Sequence, residues 1–254
     1  MLPTRYMRRS YTQTRFVRLL RVTTAVLAVL LIVGNGHGEE GREGRVVMTE
    51  RNNLVVIGAS YAKGWNPEKL IGETNFINKG IDGQQSFEML ARFDADVLAV
   101  KPRAVVIWGF INDIFRSDRD RIEQTLARIQ ESLLLMIQAA KRAGITPILA
   151  TEVTVRGNDN WRETIAGLVG SMLGKSSYHD YVNGHVTKIN RWVRQIAARE
   201  GILLLDFEVA LSDDHGIRRK EFAQPDGSHI SPRGYEVLTK LTEDRLLATP
   251  LLRQ

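Results

Sequence analysis

Short apolar runs alternate with longer amphipathic stretches along most of this chain, and that alternation constrains the fold more than any other feature. Five short runs are strand candidates, and three of them are almost entirely apolar, as is typical of strands buried on both faces. The candidates are Leu54–Gly58, Phe76–Asn78, Ala104–Trp108, Thr146–Ala150 and Ile202–Leu205. Strands that alternate with helices predict an α/β protein whose parallel sheet carries helices on both faces.

The clearest helix is predicted over Asp118–Ala143, where apolar residues recur every three or four positions. Gly144 follows it and can adopt the left-handed conformation that often ends a helix. Further helices are predicted at Ser86–Val100, Val186–Arg199 and Pro232–Leu247. The segment Arg156–Asn183 breaks this rhythm, and both a cover over a site and a plain surface excursion fit its composition.

The first 38 residues have the pattern of an export signal. They contain six arginines and no acidic residue, and an uninterrupted apolar run over 25–33 is followed by small residues. Cleavage near Gly36 or Gly38 is the first interpretation, and an uncleaved anchor formed by residues 22–33 is the second. We therefore expect an exported protein, periplasmic or secreted, with an export segment at 1–38, a polar linker at 39–52 and one folded domain at 53–250.

Charge and residue usage exclude several classes of function. The net charge of +6 comes from the leader, because the remaining 29 basic residues equal the 29 acidic ones. A neutral body gives no electrostatic basis for binding nucleic acid, and contact with a membrane is expected only through the leader. Cysteine is absent, which excludes disulfides and thiolate metal sites. His179, His185 and His215 lack the close spacing of metal ligands, so no metal is expected.

A serine and a histidine stand where an acyl-transfer site would need them. Ser60 follows the first strand candidate, at the sheet edge where α/β proteins bind ligands. A serine alcohol needs a base, and His229 could act as one if Asp226, three residues earlier, orients its ring. The alternatives are that Ser60 only caps a helix and that the segment 225–229 is a solvated turn.

Acyl transfer also needs donors for the oxygen that becomes negative. The Asn112 side chain follows the third strand candidate, and Gly83 follows the second, where a backbone N–H can approach a ligand without interference from a Cβ atom. Asn112 or Asp113 could instead shape a turn, and Gly83 could start a helix.

These segments together resemble the conserved blocks of the SGNH/GDSL hydrolase family. Gly58–Ser60, the glycine segment 79–83, Gly109–Asp113 and Asp226–His229 occur in the family's order over residues 54–247. The resemblance implies a three-layer α/β/α, flavodoxin-like fold with a five-stranded parallel sheet, and a reaction without a cofactor.

The resemblance also implies roles for individual residues. Ser60 corresponds to the nucleophile, His229 to the base and Asp226 to the residue that orients it. The oxyanion donors would be the backbone N–H of Ser60, Gly83 and Asn112. Asn78, Gly80 and Ser86 fit the surroundings of the family's glycine block.

The nucleophile turn departs from the family pattern. Ala59 stands where the family usually has aspartate, and Tyr61 replaces a small aliphatic residue. Ala62 occupies the position of the second glycine of a Gly-x-Ser-x-Gly elbow, which argues against the ordinary α/β-hydrolase fold. The departure bears on the shape of the turn and on substrate choice more than on the type of reaction.

The favoured function is hydrolysis of a carboxylic ester or thioester, on a small-molecule ester or an acylated glycan. Two alternatives stay open: an O-acetyl esterase or acyltransferase acting on a polysaccharide, and a binding module that keeps the fold without turnover.

The basic run 218–220 is interpreted as a solvated surface in preference to an anion site. Tyr61 and Trp65 fit either a substrate pocket or ordinary packing. The sequence does not indicate an oligomeric state.

Overall fold

The computed structural model describes residues 53–67, 74–156 and 178–249. Five strands form one parallel sheet in the order β2-β1-β3-β4-β5. They are β1 (Asn53–Gly58), β2 (Asn75–Gly80), β3 (Ala104–Trp108), β4 (Thr146–Ala150) and β5 (Leu203–Leu205). Each lies where an apolar run predicted it. The sequence alone did not specify the strand order, which is the flavodoxin-like one that the family resemblance implied.

The helices pack against one another in two sets. They are α1 (Ser60–Gly64), α2 (Ser86–Ala91), α3 (Ile111–Phe115), α4 (Ile122–Arg142), α5 (Tyr178–Glu200), α6 (Phe207–Leu211) and α7 (Pro232–Leu247). In one set α4 contacts α2, α3 and α5; in the other, α6 contacts α7. Because β3 is buried along its whole length and β1 along all but its first residue, the core lies on both faces of the sheet. The export segment and the linker expected at 1–52 lie outside the described residues.

Some helices begin and end where the sequence predicted, and others do not. Helix α7 has the predicted bounds, and α4 begins at Ile122 because the chain first makes a 3-10 turn over Arg119–Arg121. Helix α5 is already formed at Tyr178, the first described residue of its range, eight residues before the predicted start. Burial of Val182 outweighs the poor helix propensity of the residues after it. Of the irregular segment 156–183, residues 157–177 lie outside the described ranges.

The helix predicted over Ser86–Val100 is interrupted. Helix α2 ends at Ala91, and the chain then makes a π-helical turn over Asp94–Leu98. At the break, the Arg92 guanidinium donates to the Gly58 carbonyl at 3.0 Å and to the Asp96 carboxylate at 2.6 Å. Side-chain contacts with the end of β1 therefore accompany the change in helical pitch, which periodicity alone does not reveal.

Three short helices, α1, α3 and α6, follow β1, β3 and β5 directly, at the carboxyl edge of the sheet. The chain leaves the neighbouring strands β1 and β3 at the point where the strand order reverses. In open α/β sheets this switch point forms the crevice in which ligands bind. Ser60 and Asn112 belong to the two helices that begin there.

Candidate active site

The Ser60 turn is held tightly between the ends of β1 and β3. A Cβ atom on Gly58 would lie 2.1 Å from the carbonyl oxygen of Trp108, so no larger residue fits at that position. Ala59 is buried, and Ser60 begins α1 with its side chain partly exposed. Among the described residues, the Ser60 hydroxyl has no hydrogen-bond partner. The turn thus presents an alcohol that is free to meet a ligand.

The His229 loop is organised by the Asp226 carboxylate. One carboxylate oxygen lies 2.5 Å from Nδ1 of His229. The other accepts the backbone N–H groups of Ser228, at 3.0 Å, and of His229, at 2.9 Å. Burial alone would raise the pKa of Asp226, but the bonds from the His229 ring and from the two backbone groups lower it below its usual value. Asp226 therefore stays ionised and fixes the ring with Nε2 directed away from the carboxylate.

Ser60 and His229 line the same cavity, which has a volume of about 1040 Å³. Helix α7 forms one wall of it, with Tyr235, Glu236, Thr239, Lys240 and Glu243. Residues 63–67 after the nucleophile turn contribute to the lining as well. The structure thus brings together the serine, histidine and aspartate that the sequence predicted, although they are separated by up to 169 positions.

The two predicted donor loops are tied to each other. The Asn112 side-chain amide donates to the backbone carbonyl of Gln84 at 3.0 Å, next to Gly83, which has a φ of +72°. Asp113 is fully buried and accepts from both the backbone N–H (2.7 Å) and the hydroxyl (2.9 Å) of Ser86. Asp113 is therefore a cross-link between the loops after β2 and β3. Burial raises its pKa, although the bonds from Ser86 act in the opposite direction.

Asn78 connects the glycine segment to the nucleophile helix. Its side-chain amide donates to the carbonyls of Ala62 and Trp65, both at 2.8 Å, while its oxygen accepts the Gly80 N–H at 2.8 Å. Bonds of this kind fix the position of α1 relative to β2. The family resemblance singled out Asn78 and Gly80 without indicating what they hold.

Sequence reasoning missed Glu152, a buried acid beneath the Asn112 loop. Its carboxylate accepts the backbone N–H of Phe110 at 2.8 Å and that of Ile111 at 3.3 Å. Burial raises the pKa of Glu152 to about 7, and the two backbone bonds oppose that rise. Its place directly after β4, at the ligand-binding edge, was the available signal.

The basic run 218–220 is only in part the solvated surface that the sequence predicted, because Arg219 and Lys220 are exposed and Arg218 is not. Arg218 is fully buried, and its guanidinium donates to the carbonyls of Gly227 and Ser228. The expectation was wrong for this residue because a charge run in a sequence does not show which of its members turns inward. The adjacent Arg219 does lie exposed.

Tyr61 and Trp65 are both largely packing residues. Tyr61 is buried, and burial raises its pKa to about 12. Trp65 is buried among aromatic rings, donates from Nε1 to Thr239 at 2.9 Å and borders the cavity with part of its surface.

The three histidines outside the site are dispersed. His179 and His185 lie on α5, and His215 lies in an exposed loop. Across residues 53–67, 74–156 and 178–249, no three His, Asp or Glu side chains come together as a metal-binding group. Within the same ranges, no helix combines the length and hydropathy needed to cross a membrane.

The sheet order and the gathering of polar loops at its switch point define the chain as a flavodoxin-like α/β protein. The sequence model of the GDSL-like lipase/acylhydrolase family matches residues 56–237, so the chain belongs to that family. Membership of this family supports a hydrolase.

Individual relatives are distant. A GDSL-like lipase from Bacteroides thetaiotaomicron is 21% identical, with 78% of this chain and 88% of that chain covered and a TM-score of 0.59. An acetylxylan esterase from Geobacillus stearothermophilus is 20% identical, with 76% and 93% covered and a TM-score of 0.56. The uncharacterized lipoprotein YqeF of Bacillus subtilis is 23% identical over 181 residues, 68% of this chain and 74% of its own length. At these identities the solved structures show the shared fold alone.

Proposed function

We propose that the protein is a serine ester hydrolase in which Ser60 is the nucleophile, His229 its base and Asp226 the residue that orients the base. The observation that carries the proposal is the Asp226–His229 hydrogen bond of 2.5 Å, together with the exposure of His229 and Ser60 to one cavity. A carboxylate on Nδ1 selects the tautomer in which Nε2 can accept a proton.

In the first step His229 takes the proton of Ser60 as the serine oxygen attacks the carbonyl carbon of the ester. The carbonyl oxygen becomes negative and is stabilised by donors already in place. We assign that role to the N–H groups of Ser60 and Gly83 and to the Asn112 amide. Ser60 is the first residue of α1, so its N–H has no partner within the helix. The Asn112 amide uses one N–H on Gln84 and retains another.

Collapse of this intermediate breaks the bond to the alcohol, which leaves with the proton held by His229. Water then attacks the acyl-serine and gives a proton to His229. As the second intermediate collapses, His229 returns this proton to the Ser60 oxygen and the acid is released. The cycle restores the free serine and needs no cofactor. An acyltransferase would follow the same path with another alcohol in place of water.

The cavity has a mixed lining. Asn66, Asp82 and Gln224 line it together with polar side chains of α7, while Trp65 and Ile230 contribute to an apolar surface that is the larger share. Such a lining offers hydrogen-bond partners to a polar alcohol part and apolar surface to a short acyl chain. We propose short acyl esters of polar alcohols, including O-acetylated glycans, as substrates. The related acetylxylan esterase supports this choice.

We further propose that the protein is exported by residues 1–38. The description of the Bacillus subtilis relative as a lipoprotein supports this location. The present sequence has no cysteine to carry a thioether-linked lipid, so an anchor, if retained, would be residues 22–33.

The test compares the purified full-length protein with Ser60→Ala and His229→Gln on nitrophenyl esters of increasing chain length and on acetylated xylan. The wild type should hydrolyse the acetyl substrates best, and each variant should lose about a thousandfold or more in kcat. Ser117→Ala and His215→Gln are the matched controls, because both lie outside the cavity.

Unchanged turnover in Ser60→Ala, or a folded wild type that hydrolyses none of the esters, would contradict the proposal. The second result would favour the non-catalytic binding module. A marked preference for long acyl chains would contradict only the assignment of substrate.

A further inference from the structure

Arg218 is a buried cation without a directly paired anion among the described residues. Its side chain is fully buried, and the described anion that interacts with its charge is the buried Glu152 carboxylate, which does not form an ion pair with it. Its Nε and Nη1 atoms have no hydrogen-bond partner among those residues either. A buried charge is costly, and an apolar residue of similar volume often stabilises a protein as well or better. Fold stability alone therefore does not account for an arginine at this position.

The guanidinium nitrogen that does have hydrogen-bond partners contacts the loop that carries His229. Nη2 donates to the carbonyl of Gly227 at 3.0 Å and to that of Ser228 at 2.7 Å. The backbone of Arg218 is fixed as well, because its N–H donates to the Thr154 hydroxyl at 3.1 Å. The guanidinium is thus a fixed point from which the loop is positioned.

The Ser228 carbonyl belongs to the same planar peptide unit as the His229 N–H. That N–H donates to the Asp226 carboxylate, while the carbonyl accepts from Arg218. Because the peptide unit is rigid, bonds at both ends fix its orientation and hence the direction in which the His229 side chain leaves the backbone.

The same carbonyl also connects the loop to the nucleophile turn. The hydroxyl of Tyr61, the residue after Ser60, donates to the Ser228 carbonyl at 2.5 Å. The Arg218 guanidinium carbon lies 5.7 Å from the centre of the Tyr61 ring. The Ser228 carbonyl therefore accepts one hydrogen bond from Tyr61 in the nucleophile turn and another from the buried Arg218.

We propose that Arg218 is a positioning residue, which holds the Ser228–His229 peptide, and through it the His229 ring, in register with Ser60. This inference rests on the proposed function, because it assigns a role within that reaction. Tyr61 assists by binding the same carbonyl from the nucleophile turn.

The test measures kcat and KM for nitrophenyl acetate in full-length wild type, Arg218→Met, Arg218→Lys and Tyr61→Phe. Arg218→Met should lower kcat at least tenfold with KM changed less than twofold, and Arg218→Lys should recover part of the loss. Arg218→Lys combined with Tyr61→Phe should lose less than the product of the single losses, because both changes act on one carbonyl. Ile129→Ala, a cavity-forming change in the core on α4, is the control for reduced stability and should keep the wild-type kcat.

A folded Arg218→Met that keeps the wild-type kcat overturns the inference while leaving the proposed function intact. Equal loss in Ile129→Ala also overturns it, since reduced stability would then explain the effect. If Arg218→Met does not fold, Tyr61→Phe decides, and a wild-type kcat in that variant is the negative result. An inactive wild type instead refutes the proposed function, and the inference with it.

Discussion

Glu152 holds the loop that carries Asn112 from beneath, and its carboxyl group titrates near neutrality. Its own backbone is fixed from α5, because its N–H donates to the Asn190 side chain at 2.8 Å and its carbonyl accepts from the same side chain at 2.7 Å. Oε1 has no partner among the described residues, while Oε2 accepts the N–H groups of Phe110 and Ile111. The donor loop is thus supported by a group whose charge changes within a physiological range.

Glu152 should make stability depend on pH. With its folded pKa raised from 4.5 to about 7, the folded state retains a proton that the unfolded chain releases between these values. The free energy of unfolding should therefore fall as pH rises through this window, by up to about 3 kcal/mol, and level off above it. Glu152→Gln removes the titration, so urea unfolding at pH 5 and pH 7.5 should show a shallower dependence on pH than in the wild type.

Glu131→Gln, an exposed change on α4, is the matched control for this experiment. The same pH dependence in Glu152→Gln as in the wild type would show that the carboxyl group does not titrate in this window.

At the scale of single residues, the sequence predicted some members of the candidate site and missed others. Ser60, Asp226 and His229 were predicted as site residues because their chemistry is specific and their order is that of a family. Glu152 and Arg218 were not, since a charged residue is normally solvated and only the folded chain shows which one is enclosed. Direct sequence neighbours can differ completely, as buried Arg218 and exposed Arg219 do.

At the scale of elements, the nucleophile helix is fixed by its contact with the end of β2. A Cβ atom on Gly80 would lie 2.1 Å from the backbone nitrogen of Lys63 and 2.5 Å from its Cα atom. Backbone atoms cannot yield as a flexible side chain can. The last residue of β2 must therefore be glycine for α1 to stay in place.

Gly80→Ala should accordingly lower the free energy of unfolding by about 1–3 kcal/mol, because α1 has to shift. Gly184→Ala is the matched control: this glycine lies in α5, and no atom of the described residues lies within 4 Å of its would-be Cβ. It should stabilise the protein by about 0.5–1 kcal/mol, since alanine restricts the unfolded chain and favours helix. Urea unfolding of the two variants measures both effects, and a Gly80→Ala protein as stable as the wild type would contradict the close contact.

Strands and helices could be predicted where a single sequence pattern identifies them. Buried strands give apolar runs, and α7 begins where Ser231 caps it, accepting the Gly234 N–H, with Pro232 as the first helical residue. Helices α1, α3 and α6 were missed because five residues are too few for a helical period. Strand order depends on contacts between distant segments, so only the family resemblance supplied it.

At the scale of the whole molecule, the parallel sheet explains how distant segments form one site. The carboxyl ends of all its strands lie along one edge, so the loops after β1, β2 and β3 meet there, and the loop before α7 closes the site from the side. The sequence therefore predicted the type of chemistry from four separated segments. It could not rank substrates, because the shape and polarity of the cavity arise only when α7 packs beside the nucleophile turn.

The most direct test of this account is the site at which a fluorophosphonate modifies the folded full-length protein, determined by mass spectrometry of its peptides. The account predicts one adduct, on Ser60, which forms far more slowly in His229→Gln and is absent in Ser60→Ala. An adduct on another residue, or none on a folded protein, would contradict it.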